Sequence, residues 1–240
     1  MGFIETLEPI AADVFSAIET HPMIRRLGAG TLSEAPFRHW VRQDYYYLIQ
    51  YARVLGLTVA NAPTVTRMGT FATLLSSTLE TEMALHRDYA AEFGLDEATL
   101  EATTPSPTTR AYTDFLIRTA RTGTFGDTVA AILACEWGFN TVARRLEAAG
   151  SPDHDRYARW IKTYADEEFT ALVERFKQLM DEVADRATPA ARDRYRRLFW
   201  TAAQYEYLFW DASWRRETWP VSTQGGPFEG TDDPDDTQRT

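Results

Sequence analysis

Only one cysteine, Cys135, occurs in the 240 residues, so no intramolecular disulfide can form and the thiol content does not point to an oxidising compartment. Lysine is nearly as scarce: Lys162 and Lys177 are the only two, and arginine makes up the rest of the 25 basic residues. Bases are outnumbered by 35 acids, which leaves a net charge of −10 and a pI near 4.9. Such a chain repels phosphate backbones, which argues against a nucleic-acid partner. No apolar run approaches the roughly 18 residues needed to span a bilayer. The first residues, Met-Gly-Phe-Ile-Glu-Thr-Leu-Glu, carry acids where a secretory leader needs bases. The expectation is a cytoplasmic protein with no membrane partner. Also missing are a glycine-rich phosphate loop, an internal repeat and any sustained period of two, so nothing supports a nucleotide-binding α/β fold or a β-sheet protein.

What the chain does have is helical periodicity almost throughout. The pattern predicts helices over about 3–19, 33–60, 65–93, 109–122, 127–149, 152–183 and 189–217. Gly94 and Gly150 stand at stop positions, while Ser151-Pro152 and Thr188-Pro189 read as an N-cap followed by proline in the first turn. This describes an all-α, single-domain bundle of about seven or eight helices over residues 1–217. From 218 to 240 the period is lost to Pro220, Gly225-Gly226-Pro227 and the acidic run 232–236, which read as a disordered acidic tail.

Three helices carry groups that do not belong on a purely apolar face. Phe37, Trp40, Asp44, Tyr47 and Tyr51 recur at steps of three and four, with a carboxylate in the middle of an aromatic stripe. Phe199, Ala202, Glu206, Phe209 and Ser213 repeat the pattern. An unpaired buried carboxylate costs roughly several kcal/mol, so each acid is either ion-paired to an arginine or aimed at a polar ligand. A glutamate in apolar surroundings also has its pKa raised, which suits proton donation near neutral pH. Cys135 lies deep in a third helix, where a free thiol is either a small buried hydrophobe or a nucleophile. Tyr157, Ile161, Tyr164, Glu168 and Leu172 would share a face of the sixth helix, and Tyr112 precedes the Cys135 helix. With 13 Phe, 7 Trp and 11 Tyr, a pocket walled by rings and suited to a flat heteroaromatic ligand is within reach. Glu82 and His86 have the spacing of a helical metal pair, but the later helices hold no second histidine, so both are read as structural and no metal or cofactor is expected.

Taken in order, several segments resemble the thiaminase II (TenA) family, helical proteins with the heme-oxygenase-like fold. They are His21-Pro22, Gln43-Asp44-Tyr45 with Tyr47, Glu82 to Tyr89, Cys135-Glu136-Trp137, Trp160-Ile161 with Tyr164 to Phe169, Tyr205-Glu206-Tyr207 and Phe209-Trp210-Asp211. The resemblance implies hydrolysis of the bond between the exocyclic methylene of a 4-amino-2-methylpyrimidine and an amine or thiazolium leaving group, a salvage reaction on a small aminopyrimidine or on thiamin. It also implies roles for particular residues. Cys135 would add to the ring and Glu206 would exchange a proton with a ring nitrogen. Asp44 would accept from the 4-amino group, and Tyr47 and Phe139 would stack. Tyr112 would hydrogen-bond the Cys135 sulfur, and Tyr164 would hold Glu206 or the ring nitrogen. Family members commonly carry a tyrosine where this chain has Phe139. A homotetramer is implied as well. Two other readings stand beside this one: a redox or oxygenase protein on the same fold, and a non-catalytic binder of thiamin fragments.

Overall fold

A computed structural model describes residues 2–221, and among them every regular element is helical. In chain order these are α1 (Glu8–Thr20), α2 (Pro22–Gly28), α3 (Glu34–Asn61), α4 (Val65–Ser77), α5 (Met83–Glu92), α6 (Glu97–Glu101), α7 (Pro107–Thr122), α8 (Phe125–Ala149), α9 (Asp155–Ala165), α10 (Glu167–Asp185) and α11 (Pro189–Arg215). A π turn, Thr78–Glu82, joins α4 to α5 without a break, so the pair is one helix and the described total is ten.

The count exceeds the expected seven or eight for local reasons. α2 and α6 are too short to show a period. The expected sixth helix breaks at Asp166, whose backbone turns to φ −54°, ψ 149° and whose carboxylate caps the next helix by accepting from Glu168 N at 2.7 Å. Tyr157, Ile161 and Tyr164 therefore lie on α9, while Glu168 and Leu172 move to α10. The acidic tail expected from 218 lies outside the described residues after 221. Of its first residues, Trp219 donates from Nε1 to Pro105 O at 3.0 Å in the segment leading into α7, next to the Thr108 N to Glu217 Oε2 bond of 2.8 Å.

α8 is the central helix and packs on α11, α9, α10, α7 and α1. Its first ten residues are all buried, as expected of a helix apolar on every side. It starts at a capping box in which Thr124 and Asp127 satisfy each other's backbone N–H groups. Gly126 permits the close approach there, since a Cβ would stand 2.5 Å from Tyr195 Oη and 2.6 Å from Val183 Cγ1. α3 runs beside this core against α4, α5, α7 and α11. All five positions of the Asp44 stripe and all five of the Glu206 stripe are buried. Trp40 and Trp210 stack at 5.7 Å with planes 5° apart, and Phe139 meets Trp210 at 5.4 Å, so rings from α3, α8 and α11 interlock. Burying each such ring stabilises the bundle by roughly 1.5–3 kcal/mol. No helix among the described residues is long and apolar enough to cross a membrane.

Candidate active site

The inner faces of these helices enclose a cavity of about 20 Å³, room for roughly one water molecule. α3 contributes Asp44, Tyr47 and Tyr51, which the steps of three and four put on one face. α8 contributes Cys135, Glu136 and Phe139, α9 Tyr164, α10 Phe169, and the π turn Glu82. Glu206 on α11 is buried next to Cys135, and the Tyr112 hydroxyl donates to Glu206 Oε1. The Tyr47 ring lies between those of Tyr51 at 5.8 Å and Tyr112 at 5.3 Å. Phe139 meets Tyr164 edge to face at 5.0 Å.

The charge pattern follows from burial. His86, fully buried on α5, faces the Glu82 carbonyl with Nδ1 at 2.9 Å and Asp44 Oδ2 with Nε2 at 2.6 Å. A carbonyl only accepts, so Nδ1 carries hydrogen and Asp44 is left to Nε2. Burial alone would lower the His86 pKa, but the hydrogen bond and charge of Asp44 outweigh it and raise it. Burial pushes Glu206 up to about 8, although the Tyr112 hydroxyl pulls the other way. Glu136 is pushed up to about 7 by burial, against the Tyr51 hydroxyl that donates to its Oε1 at 2.5 Å. Glu82 reaches about 8 through burial and the nearby Glu136. Burial also drives the Cys135 thiol well above its ordinary range, and the Glu206 and Glu136 carboxyls add to this. The Tyr47 hydroxyl opposes that shift from beside the sulfur, but it is buried and has no hydrogen-bond partner of good geometry. Near neutral pH the site therefore pairs a protonated thiol with a carboxyl that keeps its own proton, a latent nucleophile beside an acid.

Asp44, Tyr47, Cys135, Phe139 and Tyr164 line the cavity, and Tyr112 and Glu206 form the layer behind Cys135. Two expected contacts differ. The Tyr112 hydroxyl goes to Glu206 rather than to the Cys135 sulfur, because a carboxyl oxygen is the stronger acceptor. Tyr164 packs its ring against Phe139 and Phe169 and makes no hydrogen bond to Glu206. The partner of Asp44 is a histidine, not an arginine. His86 and Glu82, read as structural from their spacing, belong to the site: one holds Asp44 and the other lines the cavity. Both ring nitrogens of His86 are occupied, and no group of three His, Cys, Asp or Glu among the described residues could hold a metal ion. Tyr51, Glu136 and Phe169 complete the lining. Tyr51 stands on the Asp44 stripe read from the sequence, where its position but no role was assigned.

An all-α bundle that gathers a thiol, a buried carboxyl of raised pKa and a histidine-held aspartate among aromatic rings defines a class of small-molecule site. Sequence comparison makes the class specific. The model of the TENA/THI-4/PQQC family matches residues 4–216, and the chain belongs to that family. It is 35% identical over 220 residues to an aminopyrimidine aminohydrolase of Halalkalibacterium halodurans, covering 91% of this chain and 98% of that protein. Among solved structures, a TenA homologue from P. horikoshii superposes with a TM-score of 0.82 at 26% identity, over 90% of this chain and 99% of that one. A domain from Shewanella denitrificans described as having a heme-oxygenase-like fold matches with a TM-score of 0.69 at 13% identity, over 89% of this chain and 92% of that domain, so the fold is shared with it.

Proposed function

We propose that the chain is an aminopyrimidine aminohydrolase of thiamin-pyrimidine salvage, acting on 4-amino-5-aminomethyl-2-methylpyrimidine and, as a second substrate, on thiamin. The observation that carries this reading is the Cys135 thiol beside the protonated Glu206 carboxyl, at a ring-walled cavity in a chain related to proteins of that name.

In this reading Asp44, fixed by His86, accepts from the 4-amino group and sets the orientation of the ring. Tyr47 and Phe139 face it with their rings, Phe139 without the hydroxyl that a tyrosine would bring. Tyr164 closes the far wall. Glu206, steadied by Tyr112, gives its proton to a ring nitrogen and makes the ring electrophilic. The Cys135 sulfur forms a bond to a ring carbon as its own proton passes to Glu206, so no free thiolate has to exist among buried acids. The bond from the exocyclic methylene to the leaving group then breaks, with the electron pair going to the leaving nitrogen. Water adds at the methylene and its surplus proton leaves with the released amine as ammonium, or passes to solvent when a thiazole departs. The sulfur–ring bond then breaks as Glu206 returns a proton to the sulfur and takes back the one on the ring nitrogen, which restores both groups. No cofactor enters any of these steps.

Residues 1–217 form the catalytic domain in this reading, with 218–240 outside it, in line with the family match over 4–216. The working assembly is a homotetramer in the cytoplasm. The exposed Trp200 and Leu208 on α11 and Val65 and Met68 on α4 supply apolar surface for subunit contacts. The test is a hydrolysis assay on both substrates with Cys135→Ser and Glu206→Gln. The expected result is wild-type turnover that falls by roughly 10³-fold in each variant. Wild-type rates in Cys135→Ser would sink the mechanism, and a wild type that binds the pyrimidine without turnover would make the protein a binder.

A further inference from the structure

Two carboxyls on the cavity wall take no part in the ring chemistry. Glu136 follows Cys135 on α8, is 5% exposed, and is held by the Tyr51 hydroxyl at 2.5 Å. Glu82 stands on the π turn. Its backbone carbonyl is taken by His86, while its side chain makes no hydrogen bond among the described residues. No lysine or arginine lines the cavity, and the imidazole of His86 is already engaged by Asp44. The Tyr47 hydroxyl, on a residue only 4% exposed, also lacks a partner on the same wall. The cavity thus offers acceptors in excess and no lysine or arginine of its own to meet them.

We infer that Glu82 and Glu136 form a subsite for a positively charged leaving group and so select cationic substrates. The inference rests on the hydrolase reading and adds the charge class that the site prefers. An aminomethyl group is an ammonium ion at neutral pH, and its three N–H donors match the two carboxyls and the nearby hydroxyls. Kept protonated, it departs as neutral ammonia, because the electron pair of the broken carbon–nitrogen bond cancels the charge and no further proton is needed. A thiazolium likewise departs as a neutral thiazole. The hydroxymethyl product has no charge, so the same two acids release it.

Burial supports this role from the other side. The two carboxyls sit at about 8 and about 7, so at neutral pH the pair retains at least one proton. The groups facing them are Asp44, His86, Tyr51, Tyr164, Cys135 and Glu206, and His86, hydrogen-bonded to Asp44, is the only base among them. A cation entering the cavity lowers both pKa values and expels the retained proton.

The test is calorimetric binding at pH 7 of the aminomethyl pyrimidine and its near-isosteric hydroxymethyl counterpart to the full chain carrying Cys135→Ser, which prevents turnover. The aminomethyl ligand should bind at least ten times more tightly. It should also release a proton, seen as a buffer-dependent heat, where the hydroxymethyl ligand releases none. Adding Glu82→Gln or Glu136→Gln, each close to isosteric, should cut the preference about tenfold and leave hydroxymethyl affinity unchanged. Equal weakening of both ligands, or an unchanged preference, overturns the inference while the hydrolase reading stands on the wild-type assay. Failure of both ligands to bind overturns both.

Discussion

Asp44 on α3 and His86 on α5 meet at 2.6 Å, with the imidazole fully buried and its other nitrogen tied to the Glu82 carbonyl. The pair fixes a carboxylate that would otherwise be costly to keep under the site. His86→Ala leaves that carboxylate alone, and the free energy of unfolding should fall by roughly 3–5 kcal/mol. Urea denaturation at pH 7 measures this. His86→Gln, which can still donate to Asp44, should recover part of the loss and show a raised KM more than a lowered kcat. A midpoint that does not move in His86→Ala would show that the pair contributes nothing.

Stability should decline from mildly acid to mildly alkaline pH. Glu206 has an ordinary value of 4.5 and a folded value of about 8. Below pH 4.5 both folded and unfolded chains hold this proton, and the contribution is fully present. Between 4.5 and 8 the unfolded chain gives it up while the folded chain keeps it, so stability falls with rising pH and the contribution is gone above 8. Glu82 acts in the same direction over the same window. The raised pKa of His86 does so as well, from 6.5 upward. Thermal scans between pH 5 and 8 should show a falling midpoint, and Glu206→Gln should flatten the slope. An equal slope in the variant would place the proton elsewhere.

Tyr112→Phe removes the hydroxyl that holds down the Glu206 pKa. The carboxyl should then stay protonated to still higher pH. A hydrogen bond to a charged group contributes roughly 1.5–3 kcal/mol, equivalent to about one to two pKa units. The alkaline limb of kcat/KM should move upward by that amount, with turnover at pH 7 reduced about tenfold by the looser carboxyl. A limb that stays in place would assign it to another group.

A cavity of about 20 Å³ cannot hold a pyrimidine ring, so substrate entry requires a wall to move. Phe169 is the only lining ring that is not fully buried, and it stands in the first turn of α10, just past the break at Asp166. Phe169→Ala should speed association several-fold in stopped-flow fluorescence and leave the ring chemistry intact. An unchanged association rate would point to a different way in.

Much of this architecture is legible in the sequence, because helical period alone decides which residues share a face. The Asp44 and Glu206 stripes are buried position for position as their spacing requires. Pairings between helices are not written in any period. That Asp44 meets His86 and Tyr112 meets Glu206 depends on how α3, α5, α7 and α11 pack. Glu82 is hidden for a further reason. The π turn inserts an extra residue into the ladder, so extrapolating from α4 at 3.6 residues per turn points its side chain the wrong way. The break at Asp166 is invisible because no proline or glycine marks it.

Gln43, immediately before Asp44, accepts from Ser106 N at 2.9 Å and donates to Thr104 O at 3.1 Å, gripping the strand of chain that leads into α7 as a neighbouring backbone would. One turn of α3 therefore sets both the aspartate and the starting point of the helix that carries Tyr112. The α3 wall of the pocket and the layer behind Cys135 are not independent parts. Anyone reshaping the pocket for a larger heterocycle by sliding α7 outward would have to redesign position 43 first, since a Gln43→Leu exchange alone strips one buried and one half-buried backbone group of this partner and loosens the start of the helix that carries Tyr112.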